Sequence, residues 1–242
     1  MMTQGIFAVA SNRLIARDTW EMRLRGDTAD PCKPGQFVNV KVDSAYLRRP
    51  LAPAAWDKDG MTLIYKVVGI GTDWLTRCRT GDELDLLTGL GNGFDTGMSG
   101  SHPLLIGGGV GLPSLYLLAG ELLSQGRHPR LIMGFGSAQD IFYHQEFEAL
   151  MPVTVTTLDG SAGIRGLVTD APPQGEDSYF YACGPLMMLK ALCRLPLPGQ
   201  LSLEERMGCG FGACMGCTIN TAKGPRRVCK EGPVFFKEDL IW

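Results

Sequence analysis

The chain has 242 residues, 45% of them hydrophobic and 20% charged, with a formal net charge of −2. That length is too great for a disulfide-stapled miniprotein and leaves room for two modest cores. The near-neutral balance argues against a nucleic-acid footprint, which needs clustered Lys and Arg to displace counterions.

The opening residues, MMTQGIFAVASNRLIARD, carry no basic start followed by a long apolar run. No secretory signal is therefore expected, and the cytoplasm is the expected compartment. Period-two alternation places Val38, Val40 and Val42 on one face of a strand over 36–42. A second strand is expected over 61–68, ended by Gly69, with shorter ones at 20–24 and 83–87. Short strands broken by Gly, Pro and Asp point to a closed or nearly closed antiparallel barrel, interrupted by one helix over 72–79.

From Ser101 the rhythm changes. An apolar strand at 104–106 runs into a glycine turn and a helix over 112–123. Further strands are predicted at 130–134, 153–157 and 179–183, with helices at 140–150 and 185–193. Strands alternating with helices imply parallel βαβ units. Residues 103–120 carry no charge and are long enough to cross a membrane. Gly107, Gly108, Gly109, Gly111, Pro113 and Gly120 interrupt that stretch, so strand, turn and helix are expected and no membrane span. Boundaries near 97–100 and 196–199 divide the chain into a barrel (1–98), an α/β domain (99–199) and a cysteine-rich tail (200–242).

The chain has eight cysteines, and a reducing compartment argues against disulfides. Cys32, Cys78, Cys183 and Cys193 are scattered, whereas Cys209, Cys214, Cys217 and Cys229 follow the spacing C-x4-C-x2-C-x11-C. Three close ligands and one distant match the plant-type 2Fe–2S pattern. Gly208, Gly210, Gly212 and Gly216 let the loop wrap a cluster and leave backbone N–H groups free for its sulfurs. A structural zinc with four cysteine ligands is the alternative, although zinc knuckles present two C-x2–4-C pairs. Lys223, Arg226, Arg227 and Lys230 lie in the same region and read as a solvated face or a partner contact.

Gly107, Gly108, Gly109 and Gly111 follow a strand and open a helix, a geometry that aims helix N-terminal amides at an anion. GGGVG is not the G-x-G-x-x-G fingerprint, and a tight turn without a ligand would look similar. Tyr181-Ala182-Cys183-Gly184-Pro185 ends a strand at the carboxyl edge of the same sheet, where ligands of open parallel sheets sit. A buried small residue is the alternative role for Cys183. The three histidines, His102, His128 and His144, fall in no triad or metal spacing, and no catalytic residue is assigned.

Together the barrel, GGGVG, YACGP and the cysteine tail resemble the electron transfer subunits of NAD-dependent dihydroorotate dehydrogenase, type B, within the ferredoxin–NADP reductase superfamily. The resemblance spans nearly the whole chain and is most specific at 204–217, EERMGCGFGACMGC. Leu47-Arg48-Arg49-Pro50-Leu51, Gly89-Leu90-Gly91-Asn92-Gly93-Phe94 and Asp159-Gly160-Ser161 ahead of Gly166 also match. It implies an FAD-binding barrel, with Arg49 on the pyrophosphate and Pro50, Leu51 and Ala52 beside the flavin. Ile64, Tyr65 and Lys66 would line the flavin, and Gly71 and Thr72 would meet the phosphates. NAD would be held by Gly107, Gly108, Gly109, Gly111, Asp159, Cys183, Gly184 and Pro185, and a 2Fe–2S cluster by Cys209, Cys214, Cys217 and Cys229.

The implied partner is an FMN-containing catalytic subunit that oxidises dihydroorotate in pyrimidine biosynthesis, in a heterotetramer with two copies of each subunit. Electrons would pass singly through the cluster to FAD and leave as hydride to NAD⁺. The family usually has Ser or Thr where this chain has Ala52, so altered flavin potential or hydride-transfer rate is expected. The same module serves other complexes, glutamate synthase-like or sulfide dehydrogenase. Bifurcating relatives often place Asp at the first ligand position, and Cys209 favours the pyrimidine route. A redox-sensing protein that is not an enzyme is a further alternative, with Ala52 its only hint.

Overall fold

The computed structural model describes residues 2–43, 45–171 and 173–242. Its first half contains β1 (Thr3–Ala16), β2 (Thr19–Arg25), β3 (Phe37–Val40), β4 (Arg49–Leu51), β5 (Pro53–Asp57), β6 (Gly60–Lys66), α1 (Ile70–Leu75) and β7 (Glu83–Leu90). The strands form one antiparallel sheet in the order β4-β3-β7-β1-β2-β6-β5. Its edge strands β4 and β5 are separated only by Ala52, so the sheet curls until both edges share one corner. This is the expected barrel, closed except at that corner.

Inside it pack Phe7, Val9, Met22, Leu24, Val38, Val40, Val42, Leu63, Tyr65 and Leu86. Val38, Val40 and Val42 thus share the face that their alternation predicted. Asn39 and Phe37 point the other way and are still buried, because the cysteine tail covers that face. Strand β1 was not anticipated; bulges near Ala10 and Ile15 interrupt its alternation. Helix α1 starts earlier and stops sooner than the predicted 72–79. Thr72 Oγ1 accepts from the N–H groups of Val68 (2.9 Å) and Gly69 (3.2 Å), which fixes the start.

The second half contains β8 (Pro103–Gly108), α2 (Leu112–Ser124), β9 (Arg130–Phe135), α3 (His144–Glu148), β10 (Val153–Thr157), β11 (Ile164–Arg165), β12 (Tyr179–Cys183), α4 (Leu186–Leu192) and β13 (Gly199–Ser202). The tail adds the hairpin β14 (Thr218–Thr221) and β15 (Gly224–Arg227), then β16 (Val234–Phe236). The main sheet runs β11-β10-β9-β8-β12-β13-β16, all parallel except β16. Leu105, Leu115, Leu118, Leu122 and Tyr181 form a core on one face that continues to Ala54 and Ile64 of the barrel. Leu104, Ile106, Phe180, Leu189 and Leu201 pack on the other face, where the tail closes over them.

Two expectations need correction. The boundary expected between 199 and 200 falls inside β13, which pairs with β12 in the parallel sheet. The cysteine segment is therefore an excursion between two strands of that sheet, β13 and β16, and not a detached tail. Asn92 pins its exit: Nδ2 donates to the carbonyls of Glu231 (3.1 Å) and Val234 (2.7 Å), and Oδ1 accepts from Val234 N (3.0 Å). The helix expected over 140–150 is reduced to α3, because Tyr143 is left-handed at φ 57° and 138–140 form a separate 3-10 turn. Asp140 and Tyr143 bond to the barrel instead. Among the described residues, no helix is long and apolar enough to cross a membrane.

Candidate functional site

The cysteine loop has little regular structure of its own. Gly210 (φ 79°) and Gly212 (φ 93°) are left-handed, and a Cβ at Gly210 would come 2.3 Å from Asn39 Nδ2. Only glycine therefore lets this loop settle on β3. Backbone N–H groups then aim at sulfur: Ala213 and Cys214 donate to Cys209 Sγ (3.3 and 3.4 Å), Gly216 to Cys214 Sγ (3.5 Å), and Cys229 to Cys217 Sγ (3.4 Å). Cys217 and Cys229 are buried, and Cys214 is exposed.

The free thiols lie as two neighbouring pairs, Cys209 with Cys214 and Cys217 with Cys229. Among the described residues, no three Cys, His, Asp or Glu side chains are arranged to hold a single metal ion. Two pairs suit a two-iron centre that takes two thiolates on each iron, whereas zinc asks for four ligands around one point. Burial pushes the Cys209 thiol up, yet the N–H groups of Cys214 and Phe211 outweigh it and bring its pKa down to about 6. Cys229 is pushed up to about 12 by burial and by its neighbour Cys217. Donors already aimed at sulfur favour thiolate ligands, so the residues fit the cluster.

Next to this loop lies the segment expected to hold flavin. Asn39 links the two. Its backbone pairs with Pro50 in the β3–β4 ladder, and its Nδ2 donates to the Cys209 carbonyl (3.2 Å). The two consecutive arginines divide their work. Arg48 is spent on the barrel, donating to Asp85 Oδ2 (2.9 Å) and to the Asp85 carbonyl (2.8 Å). Arg49 instead lies over the first turn of α1, where a Cβ at Gly71 would come 2.2 Å from its Nε. A guanidinium stacked on a glycine at a helix start suits a pyrophosphate.

Pro50, Leu51 and Ala52 are half-buried at the open corner of the barrel. Alternation divides β6. Ile64 faces the parallel-sheet unit and Lys66 reaches it, while Tyr65 turns into the barrel core and its hydroxyl donates to Asn12 Oδ1 (3.0 Å). Any contact of Tyr65 with a flavin would therefore be made by its backbone. The Thr72 hydroxyl is likewise engaged in the helix start.

Glycines Gly107–Gly111 and the Cys183–Pro185 turn meet at the carboxyl ends of β8 and β12. From β8 the chain steps out through β9 to β10, then returns on the other side as β12, so this is the switch point where open sheets bind ligands. The two turns pack backbone to backbone: a Cβ at Gly111 would come 2.2 Å from the Cys183 carbonyl, and one at Gly108 would come 2.9 Å from Pro185 Cδ. Around Gly109 the space is open. A cleft of about 750 Å³ begins there, between Gly108–Val110 and Pro185 on one side and Arg17, Lys66 and Asp140 on the other. Thr156, whose buried Oγ1 has no hydrogen-bond partner among the described residues, also lines it.

The Cys183 thiol is buried and pushed up to about 12 by that burial, so it packs as a neutral group and only its backbone borders the turn. Asp159 is exposed, with its carboxylate accepting from Ser161 N (2.9 Å) and Oγ (2.6 Å), bonds that hold its pKa below the usual range. Asn39, Arg17 and Asp140 escaped the sequence reading. Each is an ordinary polar residue whose partner lies about a hundred or more positions away, and no local spacing marks it.

A barrel joined to a parallel nucleotide-type sheet, with a four-cysteine loop seated on strand β3 of the barrel, defines a ferredoxin reductase-like iron–sulfur flavoprotein. The structure of NADH-dependent reduced ferredoxin–NADP oxidoreductase superposes at a TM-score of 0.88 with 29% identity, covering 98% of this chain and 90% of that one. Residues 204–241 match the iron–sulfur cluster binding domain of dihydroorotate dehydrogenase B. The electron transfer subunit of dihydroorotate dehydrogenase B (NAD(+)) from Bacillus caldolyticus is 45% identical, and that from Geobacillus sp. (strain WCH70) is 42% identical, each covering 100% of both chains. The chain belongs to the dihydroorotate dehydrogenase B (NAD(+)) electron transfer subunit family.

Proposed function

We propose that the chain serves as the electron transfer subunit of an NAD-linked dihydroorotate dehydrogenase, bound to an FMN-containing catalytic subunit in a heterotetramer of the cytoplasm. When bound, the cluster carries single electrons and FAD exchanges them in pairs, as hydride, with NAD⁺. What the polypeptide supplies is position. Cys209, Cys214, Cys217 and Cys229 would hold the cluster, and the backbone N–H groups aimed at their sulfurs would damp the negative charge on them. Arg49, with Gly71 behind it, takes the FAD pyrophosphate, and Leu51, Ala52 and Ile64 flank the ring. Gly108, Gly109 and Pro185, which line the cleft, receive the dinucleotide, with Gly111 and Gly184 in the same turns.

The observation that carries this reading is the Asn39 link. One residue touches the cluster loop through its side chain and the flavin segment through its backbone. Such an arrangement supports an electron carrier beside a flavin more than a redox sensor without one. The purified chain should show flavin and iron–sulfur absorbance and oxidise NADH with an artificial acceptor, yet turn over no dihydroorotate by itself. Dihydroorotate oxidation by the isolated chain would end this division of labour. Co-purification with an FMN-containing enzyme tests the pairing and its stoichiometry.

A further inference from the structure

Residues 137–143 cross the mouth of the nucleotide cleft and join the parallel-sheet unit to the barrel. Asp140 lies at the centre, 7% exposed. Its Oδ1 accepts from Arg17 Nε (3.0 Å) and Lys66 Nζ (3.4 Å), and its Oδ2 from Arg17 Nη2 (2.5 Å), Ser137 N (3.1 Å) and Ser137 Oγ (2.9 Å). Arg17 and Lys66 belong to the barrel, and Ser137 and Asp140 to the sheet unit. The Arg17 backbone N–H also donates to the Gln139 carbonyl (3.0 Å). At the far end of the segment, Tyr143 donates to Glu21 Oε2 (2.5 Å), and Arg13 holds the other oxygen of that carboxylate (2.8 Å).

We propose that Asp140 is a positioning residue for hydride transfer: it clamps Arg17 and Lys66 across the cleft and so fixes the spacing of the two half-sites. The proposal rests on the barrel binding FAD and the parallel sheet binding NAD. Flavin and nicotinamide then ride on different units, and their ring contact is only as exact as the seam between those units. A misplacement of about 1 Å can cost on the order of a hundredfold in rate.

An apolar seam allows the units to slide. A forked guanidinium on a carboxylate is directional and does not. The seam also explains why both cations lining the cleft are already committed. Cations reserved for a ligand phosphate would be left free, whereas these are held back against the carboxylate.

The test uses the full chain as purified, with FAD and cluster loaded, and follows flavin reduction by NADH and by 4-deuterated NADH in a stopped-flow instrument. Asp140→Asn should lower the limiting rate about tenfold or more. NADH half-saturation should shift by less than about threefold, since the dinucleotide's own contacts remain. The deuterium isotope effect should rise as the chemical step becomes limiting, and the charge-transfer band between reduced flavin and NAD⁺ should weaken.

The half-exposed Arg17→Gln provides a second variant that leaves the core untouched. It should behave the same way, and the double variant should add little to either single one. Unchanged limiting rates and isotope effects in both variants, with FAD retained, would overturn the proposal. So would a loss of NADH affinity in Arg17→Gln alone, which would make Arg17 a ligand-binding cation. A wild-type chain that NADH fails to reduce would refute the functional reading instead.

Discussion

The cysteine loop and the nucleotide cleft place their chemistry in opposite ways. In the loop, four cysteines and the glycines that expose donors to them lie within 21 residues of each other, from Cys209 to Cys229. Function there is a matter of residue type and spacing. Across the cleft, Arg17 meets Asp140 over 123 positions, and Lys66 meets it over 74. Function there depends on which strands become neighbours. The loop can be damaged by changing one atom, whereas the cleft should fail by degrees as its walls shift.

The largest effect that would sharpen this contrast is expected at the buried ligands. Cys217→Ser or Cys229→Ser should cut iron and acid-labile sulfide from about two each per chain to near zero, measured chemically and by EPR of the reduced protein. Both thiols pack in the core beneath the tail, so the melting temperature should fall as well. Cluster loss in these variants with no change in melting would break the claim that ligation and tail packing are one structure.

Next in size is Arg49→Ala. Loss of a charge-assisted contact of about 1.5–3 kcal/mol predicts FAD binding weaker by about ten- to a hundredfold, read by fluorescence titration of stripped protein. Cluster content should stay intact, because Arg49 makes none of the sulfur contacts. Arg48→Ala should instead lower stability, since Arg48 bonds Asp85. Equal flavin loss in both variants would contradict the division between the two arginines.

A smaller, graded effect is expected at Gly111→Ala, where the new methyl would meet the Cys183 carbonyl at 2.2 Å. Overpacking of that kind costs about 1–3 kcal/mol, or about 2–4 °C of melting temperature for each kcal/mol in a chain of this size. NADH should bind more weakly as the two turns separate.

The smallest effect serves as a control remote from the cleft. Arg48, and then Gln4, hold the Asp85 carboxyl below its usual pKa against a modest burial penalty. A depressed folded-state pKa means the stabilisation is complete above the unfolded value of about 3.9 and is lost as pH falls through the lower folded value. Asp85→Asn should therefore cost about 1 kcal/mol or less at neutral pH, by thermal melts, with a deficit that is flat down to about pH 5 and closes in more acid solution. A deficit that grew on acidification would reverse the assigned sign.

Much of the architecture was legible beforehand. The alternation of Val38, Val40 and Val42, the glycine turn after an apolar strand, and the cysteine spacing are all local patterns, and each reports a local physical constraint. The misses share a different cause. Strand β1 hid because its bulges break the period on which detection depends. The helix at 140–150 has good local propensity, but Asp140 and Tyr143 make stronger bonds to the barrel than the helix could offer them. Of the three consecutive residues assigned to the flavin, Tyr65 sends its side chain to the opposite face, so its share of such a contact would be through the backbone.

The sequence alone determined the cysteine spacing of the loop, the barrel, the parallel sheet and the order in which they follow. These depend on periodicity and residue chemistry, which act over a few positions. Tertiary structure alone decided that the cysteine segment is an excursion between β13 and β16, that Asn39 joins it to the flavin segment, and that Asp140 ties the cleft shut at one rim. Such pairings arise when the folded chain brings distant polar groups out of water together, and no spacing along the sequence encodes them.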